Sequence, residues 1–267
     1  MARPIWKGAV SFGMVSIPVG LYPTVSEKDV RFHQIHRECG SRIKLQKWCP
    51  VHERALSPDE IVKGYEISKG RYVLMEEEDL ENVPVPSKHT VSVDGFVDAS
   101  EVDPVYFDSA YYLEPEETGR RPYALLLKAL QSKKVAAIAK IAMRQKESLC
   151  LLRATEGRIV LETLHYPDEI RKLEPAKTDF DLDERELKMA ESLVDLLREE
   201  FQPEKYKDEV RDAILERIEA KAHGESIAEQ PEPKQTAQVI DLFEALKRSV
   251  EAAKKERPEE PKRKKAA

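Results

Sequence analysis

"VAAIAKIAMRQK", residues 135–146, decides how the chain is read. Val135, Ala137, Ala139, Ile141 and Met143 fall on every second position, and Lys140, Arg144 and Lys146 fall on the alternate ones. Side chains of an extended strand point alternately to opposite faces, so this run offers one face to a core and one cationic face to solvent. Outward from it lie further short β-rich runs: "RYVLM" at 71–75, "HTVSVDGFV" at 89–97, "AYYL" at 110–113 and "GRIVLETLHY" at 157–166. Val10, Phe12 and Met14 alternate in the same way near the start, where Pro18 is expected at an edge or bend. Many short strands punctuated by Gly and Pro predict an antiparallel barrel or sandwich over residues 1 to about 175. One helix is expected at 122–131, opening on Pro122.

Beyond Pro175 the pattern becomes helical, which makes the fold mixed α+β. Asp183 and Glu186 have the spacing of a capping box, followed by Leu187, Ala190, Leu193, Leu197 and Phe201 at helical intervals. A second helix is expected from near Pro203, with Tyr206, Val210, Ile214 and Ile218 on one stripe, ending before Gly224. Residues 225–238 read as a flexible linker, and 239–267 as an amphipathic helix with a basic tail. Leu242, Phe243, Leu246 and Val250 share that last helix's apolar stripe. An isolated helix of this length needs a surface to lie on, so the stripe is a candidate partner-binding face.

The chain has 267 residues, 44 Lys and Arg against 50 Asp and Glu, and a net charge of -6. The sum is unfavourable for nucleic acid, but association depends on where charges sit, and there are cations enough for a basic face with an acidic back. Three cysteines and no targeting or membrane-spanning segment point to reduced thiols in the cytoplasm. No phosphate loop, dinucleotide fingerprint, metalloprotease motif or nucleophile elbow occurs, and acidic runs such as Glu76 to Asp79 read as a solvated helix start. A binding protein is expected rather than an enzyme.

"HRECGSRIKLQKWCPVH", residues 36–52, carries the other chemistry. His36 with Cys39, and Cys49 with His52, give two nitrogens and two sulfurs, a set that suits tetrahedral zinc. They also fit reduced thiols and exposed imidazoles near hairpin turns, and both readings stay open. Between the pairs, Arg42 and Lys44 would share one face of an extended strand, with Ile43 and Leu45 on the other. Two cationic strands suit the tracking of phosphates along a duplex.

The residues as a whole resemble the bacterial Ku proteins of DNA end joining. The similarity runs through "IWKGAVSFGMVSIPVGLY", "DVRFHQIHRECGSRI", "CPVHERALSPDEIVKGYEI", "EVDPVYFDSAYYLEP", "YALLLKAL", "IAKIAMRQKESL" and "LETLHYPDEIR", and on into "FQPEKYKDEVRDAILERIEAK" and "VIDLFEALKRSVEAAKK". The resemblance implies a β-barrel core over 1–177 with a DNA-encircling bridge at about 37–65, a helical subdomain at 178–224, and a ring-shaped homodimer. It implies that the ring threads onto double-stranded DNA ends near the nucleoid, reads mainly the backbone, and recruits an ATP-dependent DNA ligase, ligase D. Arg31, Arg42, Lys44, Lys47, Lys63, Lys140, Arg144 and Lys146 are the implied duplex-facing residues. Where many relatives have CPxC, this chain has Cys49-Pro50-Val51-His52, so a zinc ion there would take a histidine for a thiolate. No membrane partner and no other cofactor is expected. The alternatives from other classes are a zinc-ribbon nucleic-acid adaptor and a metal-dependent nuclease built on Glu76 to Asp79.

Overall fold

A computed structural model describes residues 3–81, 83, 89–143, 146–178, 180, 182–224 and 246–252. In chain order the strands are β1 (Trp6–Phe12), β2 (Val15–Pro23), β3 (Trp48–Cys49), β4 (Arg54–Ala55), β5 (Lys63–Ser68), β6 (Arg71–Met75), β7 (Thr90–Asp98), β8 (Phe107–Pro115), β9 (Val135–Met143), β10 (Lys146–Thr155) and β11 (Arg158–Leu164). The helices are α1 (Glu77–Glu81), α2 (Arg120–Lys133), α3 (Glu184–Leu197) and α4 (Glu209–Ala222).

Seven strands close into a barrel in the order β1, β2, β8, β11, β10, β9, β7. Six of its seams are antiparallel. The seventh is parallel, with Ala9 to Ser11 of β1 paired to Thr90 to Ser92 of β7. The alternation in the sequence is what fills the barrel. Val10, Ile17, Leu21, Leu113, Ala139, Ile141, Leu152 and Leu161 are buried in one cluster, and each Leu or Ile among them contributes about 1.5–3 kcal/mol. Gly8 permits the seam, because a Cβ there would stand 2.3 Å from both the Trp6 ring and the His89 carbonyl. The Trp6 indole in turn donates to the Ala142 carbonyl at 3.1 Å.

Helix α2 plugs this core with Tyr123, Leu126 and Leu130. The Tyr123 hydroxyl donates to the Leu113 carbonyl and accepts from the Ile159 amide, each at 2.7 Å, so it bridges two residues that face each other across β8 and β11. Burial pushes the Tyr123 phenol up. A second cluster on the outer side joins Ala136, Leu151 and Leu164 to Val97, Tyr106 and Phe107.

The structure corrects the sequence reading in several places. Met14 lies beyond the end of β1, fully exposed in the turn to β2. Pro18 keeps the edge position expected of it: it is inside β2, opposite Ala9, where pairing to β8 has not begun, so its missing N–H costs no ladder bond, and its carbonyl accepts from Glu116 at 2.9 Å. The helix expected from Pro122 begins two residues earlier, at Arg120.

The chain forms two compact units, Met1–Lys28 with Phe32–Leu173, and Asp29–Arg31 with Glu174–Ala267. In the second, Asp183 caps α3 by accepting from the Arg185 amide at 2.8 Å, and Asp208 caps α4 by accepting from the Arg211 amide at 2.9 Å. Leu187 and Leu197 on α3, with Val210 and Ile218 on α4, remain exposed, and Phe201 and Tyr206 lie outside both helices, stacked on one another at 5.8 Å. Residues 225–238 lie outside the described residues, as does most of 239–267. Residues 246–252 are helical, with Leu246 and Val250 half-buried. Leu242 and Phe243 lie outside the described residues. No described helix is long and apolar enough to cross a membrane.

Candidate nucleic-acid interface

Between β2 and β7 the chain leaves the barrel as an arm. From Tyr22 to Thr90 no described residue is buried. Residues 34–43 form a turn held by backbone bonds from His36 to Ser41, Gly40 to His36 and Ile43 to Gln34. Gly40 takes φ +66°, in the left-handed region. Two small hairpins follow, β3–β4 and β5–β6.

The extended strand expected to carry Arg42 to Leu45 does not form. Arg42 makes only an isolated bridge to Ile35, and residues 43–47 have no regular structure. With no neighbouring strand there is no surface to bury the alternate side chains, and Leu45 is 91% exposed. Arg42, Lys44 and Lys47 are exposed along one loop, Lys63 is exposed at the start of β5, and none of the four has an ion-pair partner among the described residues. Arg31 is exposed and belongs to the second unit.

Local polar clasps hold the arm in place of a core. Arg54 makes a two-pronged ion pair with Glu60, and Glu60 also accepts from the backbone and hydroxyl of Ser57 at 3.0 and 2.9 Å. The guanidinium first, and the Ser57 donors after it, draw the Glu60 carboxyl down to about 2. Asp79 accepts from the Glu76 amide at 3.0 Å, so the acidic run caps α1.

The sulfur–nitrogen pairs each close on themselves. His36 Nδ1 stands 3.1 Å from Cys39 Sγ, and His52 Nδ1 stands 3.4 Å from Cys49 Sγ. Hydrogen bonds from Ser41 and then His36 bring the Cys39 thiol down to about 7. For Cys49 the His52 amide and then its ring do the same, again to about 7. Such thiols are primed to act as ligands. The donors match zinc in kind, but no three His, Cys, Asp or Glu side chains among the described residues are gathered as a metal site, because each pair sits in a separate turn.

On the barrel, Lys140 projects exposed from β9. Lys146 does not continue its alternation. β9 ends at Met143, and Lys146 opens β10 directly opposite it, so the pairing puts Lys146 on Met143's face, while Leu149 is the residue across from Lys140. Its ammonium is held by Glu169 at 3.2 Å, and Glu169 also accepts from the Tyr166 amide at 2.8 Å and lies 3.7 Å from His165. The Tyr166 amide first, and Lys146 after it, lower the Glu169 carboxyl. Arg144 lies outside the described residues.

One group of cations escaped the sequence reading. Arg120, Arg121, Lys128, Lys133 and Lys134 are all exposed on or just after α2, with no ion-pair partner among the described residues. The signal was available: no Asp or Glu occurs between Glu117 and Glu147. It was masked by the helix's apolar residues, which read as packing alone.

With this geometry in hand, the similarities to known proteins are specific. Residues 11–189 match the family model described as the Ku70/Ku80 beta-barrel domain. Proteins named "Non-homologous end joining protein Ku" match from Heliobacterium modesticaldum, 41% identical over 97% of this chain and 95% of that one, and from Solibacter usitatus, 42% identical over the full length of both. The protein of that name from Bacillus subtilis is 39% identical over 96% of this chain and 84% of its own. Among solved structures, the SPOC domain of human PHD-finger protein 3 aligns at a TM-score of 0.30 and 14% identity over 61% of this chain and 95% of that one, which carries no argument about fold. A closed barrel with an arm that carries exposed cations, matched to these relatives along nearly the whole sequence, places the chain in the Ku family.

Proposed function

We propose that the chain binds ends of broken double-stranded DNA without regard to sequence, as a ring-shaped homodimer, in non-homologous end joining. In this reading it is a binding factor and not an enzyme, and it recruits an ATP-dependent DNA ligase of the ligase D kind to do the joining chemistry, in the cytoplasm at the nucleoid.

The observation that carries the reading is the arm. A segment without one buried described residue between Tyr22 and Thr90 gains no stability from a core of its own, and two-stranded hairpins alone are marginal in water. It presents Arg42, Lys44, Lys47 and Lys63, without an ion-pair partner among the described residues, together with exposed Tyr65 and Val73 on one face of the β5–β6 hairpin. Phosphates satisfy the first set and a second copy of the chain satisfies the other, which closes a ring around the duplex. Leu242, Phe243, Leu246 and Val250 are the proposed ligase-docking stripe. His36, Cys39, Cys49 and His52 would hold a structural zinc ion only if the two turns swing together, and zinc content after dialysis tests that.

The experiment is competition between a short linear duplex and the same DNA closed into a minicircle, at two salt concentrations. The linear form should win, with an affinity that falls steeply as salt rises. Equal binding to both forms would overturn the threading ring, and salt-independent binding would overturn phosphate recognition. Removal of residues 225–267 should preserve end binding and reduce ligase stimulation; unchanged stimulation would remove the docking stripe.

A further inference from the structure

We propose that the outward face of α2 is a second duplex-binding surface, in which Arg121 and Lys128 contact backbone phosphates. The proposal rests on the duplex-binding reading above and adds to it a site on the barrel, separate from the arm.

The placement of the helix is fixed first. Tyr123, Leu126 and Leu130 are buried in the barrel, and the Tyr123 hydroxyl is tied to two strands, so α2 cannot roll about its axis. At 3.6 residues per turn Arg121 and Lys128 then share the side away from the core, about 10 Å apart along the axis. Both are exposed. Over about 10 Å of duplex roughly six phosphates are passed, counting both strands, so two rigidly spaced cations can engage two of them.

Ordinary surface electrostatics does not account for the face. An exposed helix usually sets an acid three or four residues from a lysine or arginine. Helix α3 does so, with Lys188 and Glu184 at 3.9 Å. In α2 the residue four positions after Arg121 is Leu125, and those flanking Lys128 at that spacing are Ala124 and Ser132; Glu117, four positions before Arg121, lies in the turn ahead of the helix and makes no ion pair with it. Lys133 and Lys134 at the carboxyl end are explained by the helix macrodipole, but Arg121 sits in the first turn, where that dipole disfavours a cation. A chain with 50 acidic residues and a net charge of -6 has kept every one of them out of the stretch between Glu117 and Glu147. Among the described residues Lys128 and Arg121 therefore face solvent without an ion-pair partner, which leaves them able to displace counterions from a polyanion.

The test uses the full chain with Arg121→Glu and Lys128→Glu combined, beside the wild type and Lys44→Glu, titrated with a short linear duplex over a range of salt. The α2 variant should bind about tenfold or more weakly, with the slope of log K against log salt shallower by about 2, irrespective of base sequence. Arg121→Ala with Lys128→Ala, whose unfolding temperature should match the wild type's, guards against a folding defect and should give the same change of slope. Wild-type affinity and slope in both α2 variants, with Lys44→Glu weakened, would overturn this inference and leave the proposed function standing. A wild type that shows no salt-dependent duplex binding would overturn both.

Discussion

The barrel and its arm use the same kinds of residue to opposite ends. In the barrel Leu21, Leu113, Leu152 and Leu161 are completely buried, whereas in the arm Leu45 is 91% and Leu74 61% exposed. The barrel closes its hydrogen-bond ladders on themselves, so its strands share one enclosed interior. The arm's hairpins are two strands each, and no third strand joins either of them among the described residues. The contrast separates what the chain can stabilise alone from what it must share, and it can be attacked in order of size.

The largest effect should come from Leu161→Ala. It opens a cavity in the closed core and should cost about 2–5 kcal/mol, read from denaturant or thermal unfolding. Leu45→Ala should change stability by less than about 0.5 kcal/mol in the same measurement. Comparable losses from the two would mean that the arm shares the core, and the contrast would fail. Next in size is Tyr123→Phe. It keeps the ring but removes the hydroxyl between Leu113 and Ile159, leaving a buried carbonyl and amide unpaired, at about 1–3 kcal/mol. A neutral result would show that β8 and β11 close directly once the hydroxyl is gone.

Much of this contrast is legible in the sequence, but unevenly. Alternation at 135–143 finds β9 and its buried side, because a strand that closes a barrel needs the period-2 pattern. The same rule fails at Lys146, since it assumes that the strand runs on, while the chain has already paired back on Met143. It fails at 41–47 for another reason: Ile43 and Leu45 alternate with Arg42 and Lys44, but a pattern makes a strand only where a neighbour supplies the other half of the ladder. The arm's cations are legible as residue types in a charged run. Those of α2 were not, since an apolar stripe that packs on a core already accounts for a helix, whatever its outward side carries.

A smaller effect tests the arm's dependence on a partner. Lys63, Tyr65, Val73 and Met75 share one face of the β5–β6 hairpin by their cross-strand pairing, and Lys63, Tyr65 and Val73 are exposed there. Tyr65→Ser with Val73→Ser should leave the barrel's unfolding temperature within about a degree or two of the wild type's, since exposed sites contribute little. In the proposed dimer the same change should move self-association to higher protein concentration in sedimentation equilibrium. Unaltered association would take the hairpin face out of the dimer contact and leave its exposure without a use.

The smallest effect concerns the clasps that replace a core. Glu60 is drawn down to about 2 mainly by Arg54, so the Arg54–Glu60–Ser57 cluster resists acid over a range in which a free glutamate would already be protonated. A carboxyl whose folded value is depressed stabilises the fold above its unfolded value, near 4.3, and gives that contribution up as the pH falls through the folded value. An NMR titration of the Glu60 side chain should therefore show a midpoint of about 2, with the Ser57 amide shifting together with it. A midpoint in the ordinary glutamate range would mean that the guanidinium is not held there in solution. Because the cluster is exposed, its loss should release the 54–60 turn and leave the barrel signals in place, which separates an arm held by surface contacts from a barrel held by burial.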